Sequence, residues 1–202
     1  MRAHARSGYT VLEIAIAVAL LSIVMMKVTV LLRETGRVQE ESARAMTVED
    51  RARRVLDQIA YALMATNGDT LLPALGPDTA TDEVQYEFSL GVEDGEVVWS
   101  DPHRIAFSDD MRSVEWWQDP GGPGERRVVW TNIVRPTFEG EETNGADDND
   151  NGLADETGLH FLIDGANVTI RLTLEQIDER GNTYRQTAET TVTCRNFAGG
   201  GV

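Results

Sequence analysis

The sequence predicts an α+β protein in which one long N-terminal helix packs on antiparallel β-sheet. Three observations support this class. Residues Ile14 to Met26 form an apolar run with no charged side chain, and a stripe of apolar residues at helical spacing follows it. From Val84 onward, short runs of alternating apolar and polar residues are separated by turn residues, which is typical of antiparallel strands. A helix laid on such a sheet defines the α+β class.

The N-terminal helix is predicted to run from about Thr10 to Thr66, because no proline occurs before Pro73 and Asn67-Gly68-Asp69 provides a stop signal. Its first part, residues 9–32, is predicted to span a membrane. The stretch from Val11 to Leu32 covers roughly 22 residues, which at ~1.5 Å per residue gives a length near 33 Å.

The second part of the helix, residues 33–66, is predicted to be amphipathic. One stripe of apolar side chains continues at helical spacing, while charged side chains lie mostly off it. The stripe consists of Val48, Ala52, Val55, Leu56, Ile59, Ala60, Leu63 and Met64. We therefore expect this part to lay one face on a globular domain formed by residues 67–202.

Eight strands are predicted in that domain. They are Val84 to Leu90, Glu96 to Trp99, Arg104 to Phe107, Ser113 to Trp117, Arg127 to Val134, Leu159 to Ile163, Val168 to Glu175, and Tyr184 to Thr193. Turn signals such as Glu93-Asp94-Gly95 and Asp164-Gly165 separate them. The residues from Val168 to Leu174 alternate with a clean period of two, so their Val, Ile and Leu side chains are predicted to face the core.

Composition limits the classes of partner. The formal net charge is −16, so a polyanion such as nucleic acid is not expected to bind. A hydrophobic content of 41% is sufficient for a packed core. Cys194 is the one cysteine of the chain, which excludes an intrachain disulfide, and we expect a buried or inert thiol.

The N-terminus has the architecture of an export signal. Residues 1–8, MRAHARSG, form a short basic leader before the apolar run. No small-x-small cleavage site follows the run between Lys27 and Gly36, so we expect the apolar segment to remain attached. The question is then why Glu13 lies at the start of a segment suited to lipid.

Gly8 followed by Tyr9-Thr10-Val11-Leu12-Glu13 and a long apolar helix resembles the cleavage and methylation signal of type IV pilins and of the pseudopilins of type II secretion. The resemblance implies a prepilin peptidase that cuts between Gly8 and Tyr9 and methylates the new N-terminus. Tyr9 departs from the more usual phenylalanine or methionine. Glu13 becomes the fifth residue of the mature chain, which is the acidic position of the family.

The resemblance also implies a role. The order of the strands is similar to that of the J-type minor pseudopilin, a non-enzymatic subunit of the inner membrane whose C-terminal domain is periplasmic or extracellular. Such subunits assemble with other pilin-like subunits through the N-terminal helix, into a pseudopilus or a pilus-like filament. A carboxylate within a membrane helix costs about 2 to 4 kcal/mol, and pairing with the Tyr9 amine of a neighbouring subunit would offset that cost. The alternative is that Glu13 lies in the headgroup region of an ordinary single-pass anchor.

Residues 139–158 form an acidic loop without Lys or Arg. Within it, Asp147-Asp148-Asn149-Asp150-Asn151-Gly152 matches most of a calcium-loop pattern. The predicted Ca²⁺ ligands are Asp147, Asn149, Asn151, the Leu153 carbonyl, Asp155 and Glu156. Gly158 stands where an EF-hand has a bidentate glutamate, so we expect a weak site with a Kd of about 10⁻⁴ to 10⁻³ M. The alternative is a solvated acidic insertion that binds no ion.

No catalytic pattern emerges from the sequence. His4, His103 and His160 share no metal-binding spacing, and there is neither a G-x-S-x-G motif nor a phosphate-binding glycine loop. Two other functional classes remain open. One is a calcium-dependent adhesive module on a pilin-type anchor, and the other is a membrane-anchored enzyme.

Overall fold

The computed structural model describes residues 10–66, 68–74, 79–108, 110, 112–148 and 153–194. The chain divides into two compact units, Met1–Arg44 and Ala45–Val202. One long helix, α1, covers Val11–Met64. Its bounds lie within two residues of the predicted helix, and the short 3₁₀ turn Gly68–Thr70 follows it.

The first unit contains the apolar part of α1, and its apolar side chains are exposed all around the helix. Three hydroxyl groups in and beyond this part bond to the carbonyl four residues earlier. They belong to Ser22, Thr29 and Thr35, with donor–acceptor distances of 2.8, 2.8 and 2.9 Å. Each of these hydroxyl groups is therefore hydrogen-bonded within the helix itself. Among the described residues, α1 is the one helix long and apolar enough to cross a membrane.

The described residues of the second unit form ten strands. Their bounds are β1 Thr79–Thr81, β2 Glu83–Tyr86, β3 Ser89–Glu93, β4 Glu96–Trp99, β5 His103–Ser108, β6 Ser113–Gln118, β7 Arg126–Thr131, β8 Leu159–Asp164, β9 Asn167–Ile177 and β10 Thr183–Thr193. All the strand pairs are antiparallel. The first sheet has the order β1-β8-β9-β10, the second sheet has the order β2-β5-β6-β7, and β3 and β4 form a separate hairpin.

One hydrophobic core joins the second part of α1 to both larger sheets. Every residue of the predicted apolar stripe from Val48 to Leu63 is buried, and Met64 packs against the core while half-buried. In β9 the prediction that the Val, Ile and Leu side chains face the core is confirmed, because Val168, Ile170, Leu172 and Leu174 have no exposed surface, but Thr173, on the opposite face, is buried as well. The structure is thus an α+β fold with antiparallel sheets, and this arrangement is compatible with a pilin-like fold.

The prediction of a single strand from Val84 to Leu90 is wrong. The chain leaves the second sheet after Tyr86, since β2 pairs with β5 whereas β3 pairs with β4. Phe88 lies between the two strands and is held by other parts of the chain. Its amide bonds to the Ser100 hydroxyl at 3.2 Å, and it forms a bridge with Thr66. These long-range contacts divide the predicted strand in two, although apolar and polar residues alternate regularly along its sequence.

The structure differs from the predicted strands at two further places, and in both the reason is backbone pairing with a distant segment. The strand predicted to end at Val134 ends at Thr131, because the Val134 amide donates to the Arg112 carbonyl at 2.8 Å and Val134 forms a bridge with Leu174 of the first sheet. The segment β1 was not predicted as a strand and pairs with β8. As predicted, Cys194 is buried, and this burial raises the pKa of its thiol.

Candidate functional site

The predicted processing residues, Gly8 and Tyr9, lie outside the described residues. Glu13 is described and lies in the first turn of α1. Its carboxylate oxygen Oε2 accepts hydrogen bonds from the Thr10 amide at 2.9 Å and from the Thr10 hydroxyl at 3.1 Å. The Glu13 amide donates to the Thr10 hydroxyl oxygen at 3.3 Å in return. Thr10 and Glu13 thus form a reciprocal capping box at the start of the helix.

The capping box gives Glu13 a partner within its own chain. The first amides of a helix have no intrahelical acceptor, and a negative charge is stabilised at the helix N-terminus. Our sequence interpretation assigned Glu13 either a partner on a neighbouring subunit or the headgroup region, and it missed this local bond. The signal was present, because Thr10-Val11-Leu12-Glu13 matches the T-x-x-E capping pattern.

The ends of the acidic loop are anchored on the first sheet. The Arg135 amide donates to the Thr173 carbonyl at 2.9 Å, and the Thr173 amide donates to the Gly158 carbonyl at 2.7 Å. The two ends also bond to each other, since the Phe138 amide donates to the Glu156 carbonyl at 2.8 Å. Gly158 lies directly against the Arg135 carbonyl, where a Cβ atom would clash. These bonds close the base of the loop.

Two of the loop carboxylates are buried. Glu141 has no exposed surface, and its Oε2 accepts a hydrogen bond from the Asp155 amide at 3.1 Å. Glu156 is also buried, with its Oε1 at 3.8 Å from Nε2 of His160 and 4.0 Å from Nη1 of Arg171. Burying a carboxylate is costly unless it is bonded or paired. The described part of the loop is therefore folded against the domain rather than fully solvated.

His160 lies on the outer side of the first sheet beneath the loop and is almost fully buried. The ring of Phe138 contacts it edge-on, with the ring centroids 4.9 Å apart. Its Nδ1 lies 3.1 Å from the Thr157 carbonyl oxygen. Burial lowers the pKa of His160 to about 4, and the nearby Arg171 acts in the same direction. The imidazole is therefore neutral at pH 7.

The predicted Ca²⁺ ligands are only partly described, because Asn149 and Asn151 lie outside the described residues. Asp155 uses both carboxylate oxygens to accept amide hydrogen bonds from Asn144 and Gly145, at 2.8 to 3.0 Å. Glu156 points instead toward His160, as described above. Within the described ranges, no three acidic, histidine or cysteine side chains are arranged to hold a metal. The described ligands, including Asp147 and Leu153, therefore do not form a calcium site by themselves.

Comparison with known proteins adds no family. No protein-family model matches the chain, and no curated protein or solved structure shows significant similarity to it.

Proposed function

We propose that this chain is a minor pilin-like subunit of the inner membrane that a prepilin peptidase processes between Gly8 and Tyr9. The mature chain assembles through α1 with other pilin-like subunits into a type II secretion pseudopilus or a type IV pilus-like filament. Its domain lies on the far side of the membrane, in the periplasm or outside the cell. Its contribution is mechanical rather than catalytic, and the driving ATPase is a separate protein.

One observation carries this proposal. The signal Gly8-Tyr9-Thr10-Val11-Leu12-Glu13 runs into the first turn of α1, and the first part of this helix exposes apolar side chains on every side. A helix that is apolar all round needs lipid or other helices as its surroundings. The second unit supports the proposal, because it contains its own core and can be displayed on such a helix.

The capping box sharpens the proposed role of Glu13. Both Thr10 donors bind Oε2, so within the described residues Oε1 keeps its capacity to accept hydrogen bonds. Cleavage after Gly8 would create an amine at Tyr9, one residue before the cap. The amine of one subunit could then bind Oε1 of a neighbour while Oε2 still caps the helix. In this arrangement Glu13 fixes the axial position of one subunit relative to the next.

Variants at Glu13 distinguish its role as a helix cap from the role of its negative charge. Glutamine can replace glutamate in a capping box, so Glu13→Gln keeps the helix start but removes the negative charge. We expect Glu13→Gln and Glu13→Leu to be processed and inserted in the membrane but to enter filaments far less than the wild-type chain. Incorporation is measured by shearing and pelleting filaments from cells that carry a prepilin peptidase and partner subunits.

A matched variant tests the cap alone. Thr10→Ala removes the cap hydroxyl, at a cost of about 1 kcal/mol in helix stability, but keeps the Glu13 charge. We expect Thr10→Ala to enter filaments almost as well as the wild-type chain. If Glu13→Gln were incorporated normally while Thr10→Ala was not, Glu13 would act as a helix cap and the intersubunit pairing would be wrong.

A further inference from the structure

Among the described strands none other pairs with the β3–β4 hairpin, which exposes apolar side chains. It forms a sheet of its own, and every residue of β3 is exposed. Val92 and Val97 are direct cross-strand partners, and together with Leu90 they are 45 to 66% exposed. A two-stranded hairpin is marginally stable alone, and contiguous exposed apolar side chains mark interaction sites. The hairpin is therefore a candidate docking surface.

The tip of the hairpin is negatively charged. Asp94 and Gly95 form its two-residue turn with positive φ angles of 52° and 86°. Glu93 and Glu96 are the last pair of the ladder, so three carboxylates lie together at the tip. In the described part of the chain, none of these carboxylates forms a salt bridge. A partner surface should therefore be apolar and should carry positive charge at one end.

The same chain presents such a surface on β7. This strand is an edge of the second sheet, so one side of its backbone is available for pairing. Arg126 and Arg127 open the strand, and Val128 and Val129 follow them with 41 and 43% of their surface exposed. Arg127 is bonded to Glu115, while Arg126 forms no salt bridge within the described residues. The edge is thus basic at its start and apolar in its middle.

We propose that β3 of one copy pairs antiparallel with β7 of a second copy. The charges define the direction, because β3 ends in acidic residues and β7 begins with basic ones. With Val92 opposite Val128, the antiparallel register places Glu93 beside Arg127, and it brings the turn residue Asp94 toward Arg126. Parallel pairing of the same two strands would instead place the carboxylates beside Val and Trp side chains. Strand addition of this kind combines backbone hydrogen bonds with matched side-chain pairs.

The proposed contact is heterologous, because it joins two different patches of the chain. Such contacts are not satisfied in a two-fold dimer, and they extend to further copies in a ring or an open filament. The contact would supplement helix-mediated assembly, but it does not depend on the function proposed above. Purified chains can report it in the absence of a peptidase or a filament.

Cysteine cross-linking of full-length chains tests this inference. Val92→Cys and Val128→Cys are made separately with tags of different size, purified in detergent, mixed and oxidised. The native thiol of Cys194 is buried, so background is low. We expect a mixed disulfide dimer from the Val92→Cys and Val128→Cys mixture, with at least about tenfold more product than from either variant alone.

The matched control replaces Val128→Cys with Ile177→Cys, which places an exposed thiol on another strand of the second unit. Association through α1 alone would cross-link this control as readily as the proposed pair. A yield no higher than the control would overturn the inference. Equal dimer formation by Val92→Cys alone would overturn it as well, since that result indicates a symmetric contact.

Charge reversal gives a second, independent measurement. Asp94→Arg on the Val92→Cys chain, or Arg126→Glu on the Val128→Cys chain, should each reduce the cross-linking yield roughly threefold or more, as expected for a cross-strand ion pair. Combining the two reversed chains should restore the yield. Misfolding of either variant cannot produce that rescue, and a combined yield as low as that of the single reversals contradicts the register.

Discussion

The two parts of α1 belong to one continuous helix and yet have opposite surroundings. In the first unit the apolar side chains point in every direction and are exposed, whereas from Val48 to Leu63 the apolar side chains form a single buried stripe. A stripe is covered when one face of the helix packs on a domain, but a helix that is apolar all round needs apolar surroundings on every side. The first part is therefore long and apolar enough to cross a membrane, whereas the stripe of the second part is covered by the core of its own domain.

The largest expected effect comes from the buried stripe. Ile59 has no exposed surface while Ile23 is 58% exposed. Ile59→Ala should lower the free energy of unfolding of the domain by about 2 to 5 kcal/mol, whereas Ile23→Ala should leave it unchanged. Urea unfolding in detergent micelles measures this, with tryptophan fluorescence as the signal, because Trp99, Trp116, Trp117 and Trp130 all lie in the second unit. Equal losses of unfolding free energy in the two variants would contradict the difference in surroundings between the two parts of α1.

The next largest effect is expected on the retention of the chain in the membrane. Leu21 and Met46 are similarly exposed, at 57 and 63%, but only Leu21 lies in the apolar segment. An arginine at the centre of a membrane span costs about 2.5 to 3.5 kcal/mol on insertion scales. We expect Leu21→Arg to reduce the carbonate-resistant membrane fraction strongly, and Met46→Arg to behave like the wild-type chain. Unchanged membrane retention of Leu21→Arg would contradict a spanning role.

Acid should weaken the second unit through His160. Its pKa is about 4 in the folded chain and near 6.5 when unfolded, so the unfolded chain binds more protons between these values. The stability that the neutral His160 contributes is therefore fully present above pH 6.5 and is lost as the pH falls toward 4. The expected loss between pH 7.5 and 5 is about 2 kcal/mol.

Thermal unfolding measures this loss of stability. The buffers contain a chelator, so that bound cations do not affect the comparison. His160→Gln has no titrating ring, so its stability should change much less over the same pH range. Parallel pH profiles for the two chains would show that other groups determine the acid response.

The smallest effect is expected from calcium at the acidic loop. If the predicted site binds Ca²⁺ weakly, a tenfold excess over Kd stabilises the domain by about 1.4 kcal/mol. Calorimetric titration and a shift in Tm at millimolar Ca²⁺ measure this. Asp155→Asn keeps the shape of the side chain but removes the charge, and it should abolish the shift. A wild-type chain that does not respond at 10 mM would favour the alternative of an acidic loop that binds no ion.

The sequence predicted those elements whose pattern is strong and local. The helix, its buried stripe and the alternation of β9 all repeat over many residues, and the structure confirms each of them. Turn chemistry at Asp94 and Gly95 located the β3–β4 hairpin turn for a similar reason. In each case the local pattern and the final environment agree.

The features that were missed depend on distant contacts. β1 is a strand only because its backbone pairs with β8, and its residues Thr79, Ala80 and Thr81 carry little pattern. The break at Phe88 depends on Ser100 and Thr66. The burial of Glu141 within the loop could not be predicted either, because acidic residues are normally solvated and the Asp155 amide that donates to it lies fourteen residues away. The Thr10–Glu13 capping box is the exception, because it was missed although its T-x-x-E pattern is local.

The central claim is that cleavage after Gly8 converts an export signal into the N-terminus of an assembling helix. The most direct measurement is the intact mass and N-terminal sequence of the chain, isolated from membranes that contain a prepilin peptidase. We expect a mature chain that begins with N-methylated Tyr9, and an uncleaved precursor when Gly8→Ala is expressed instead. A chain that still begins at Met1, or one cut beyond the apolar segment, would contradict the account.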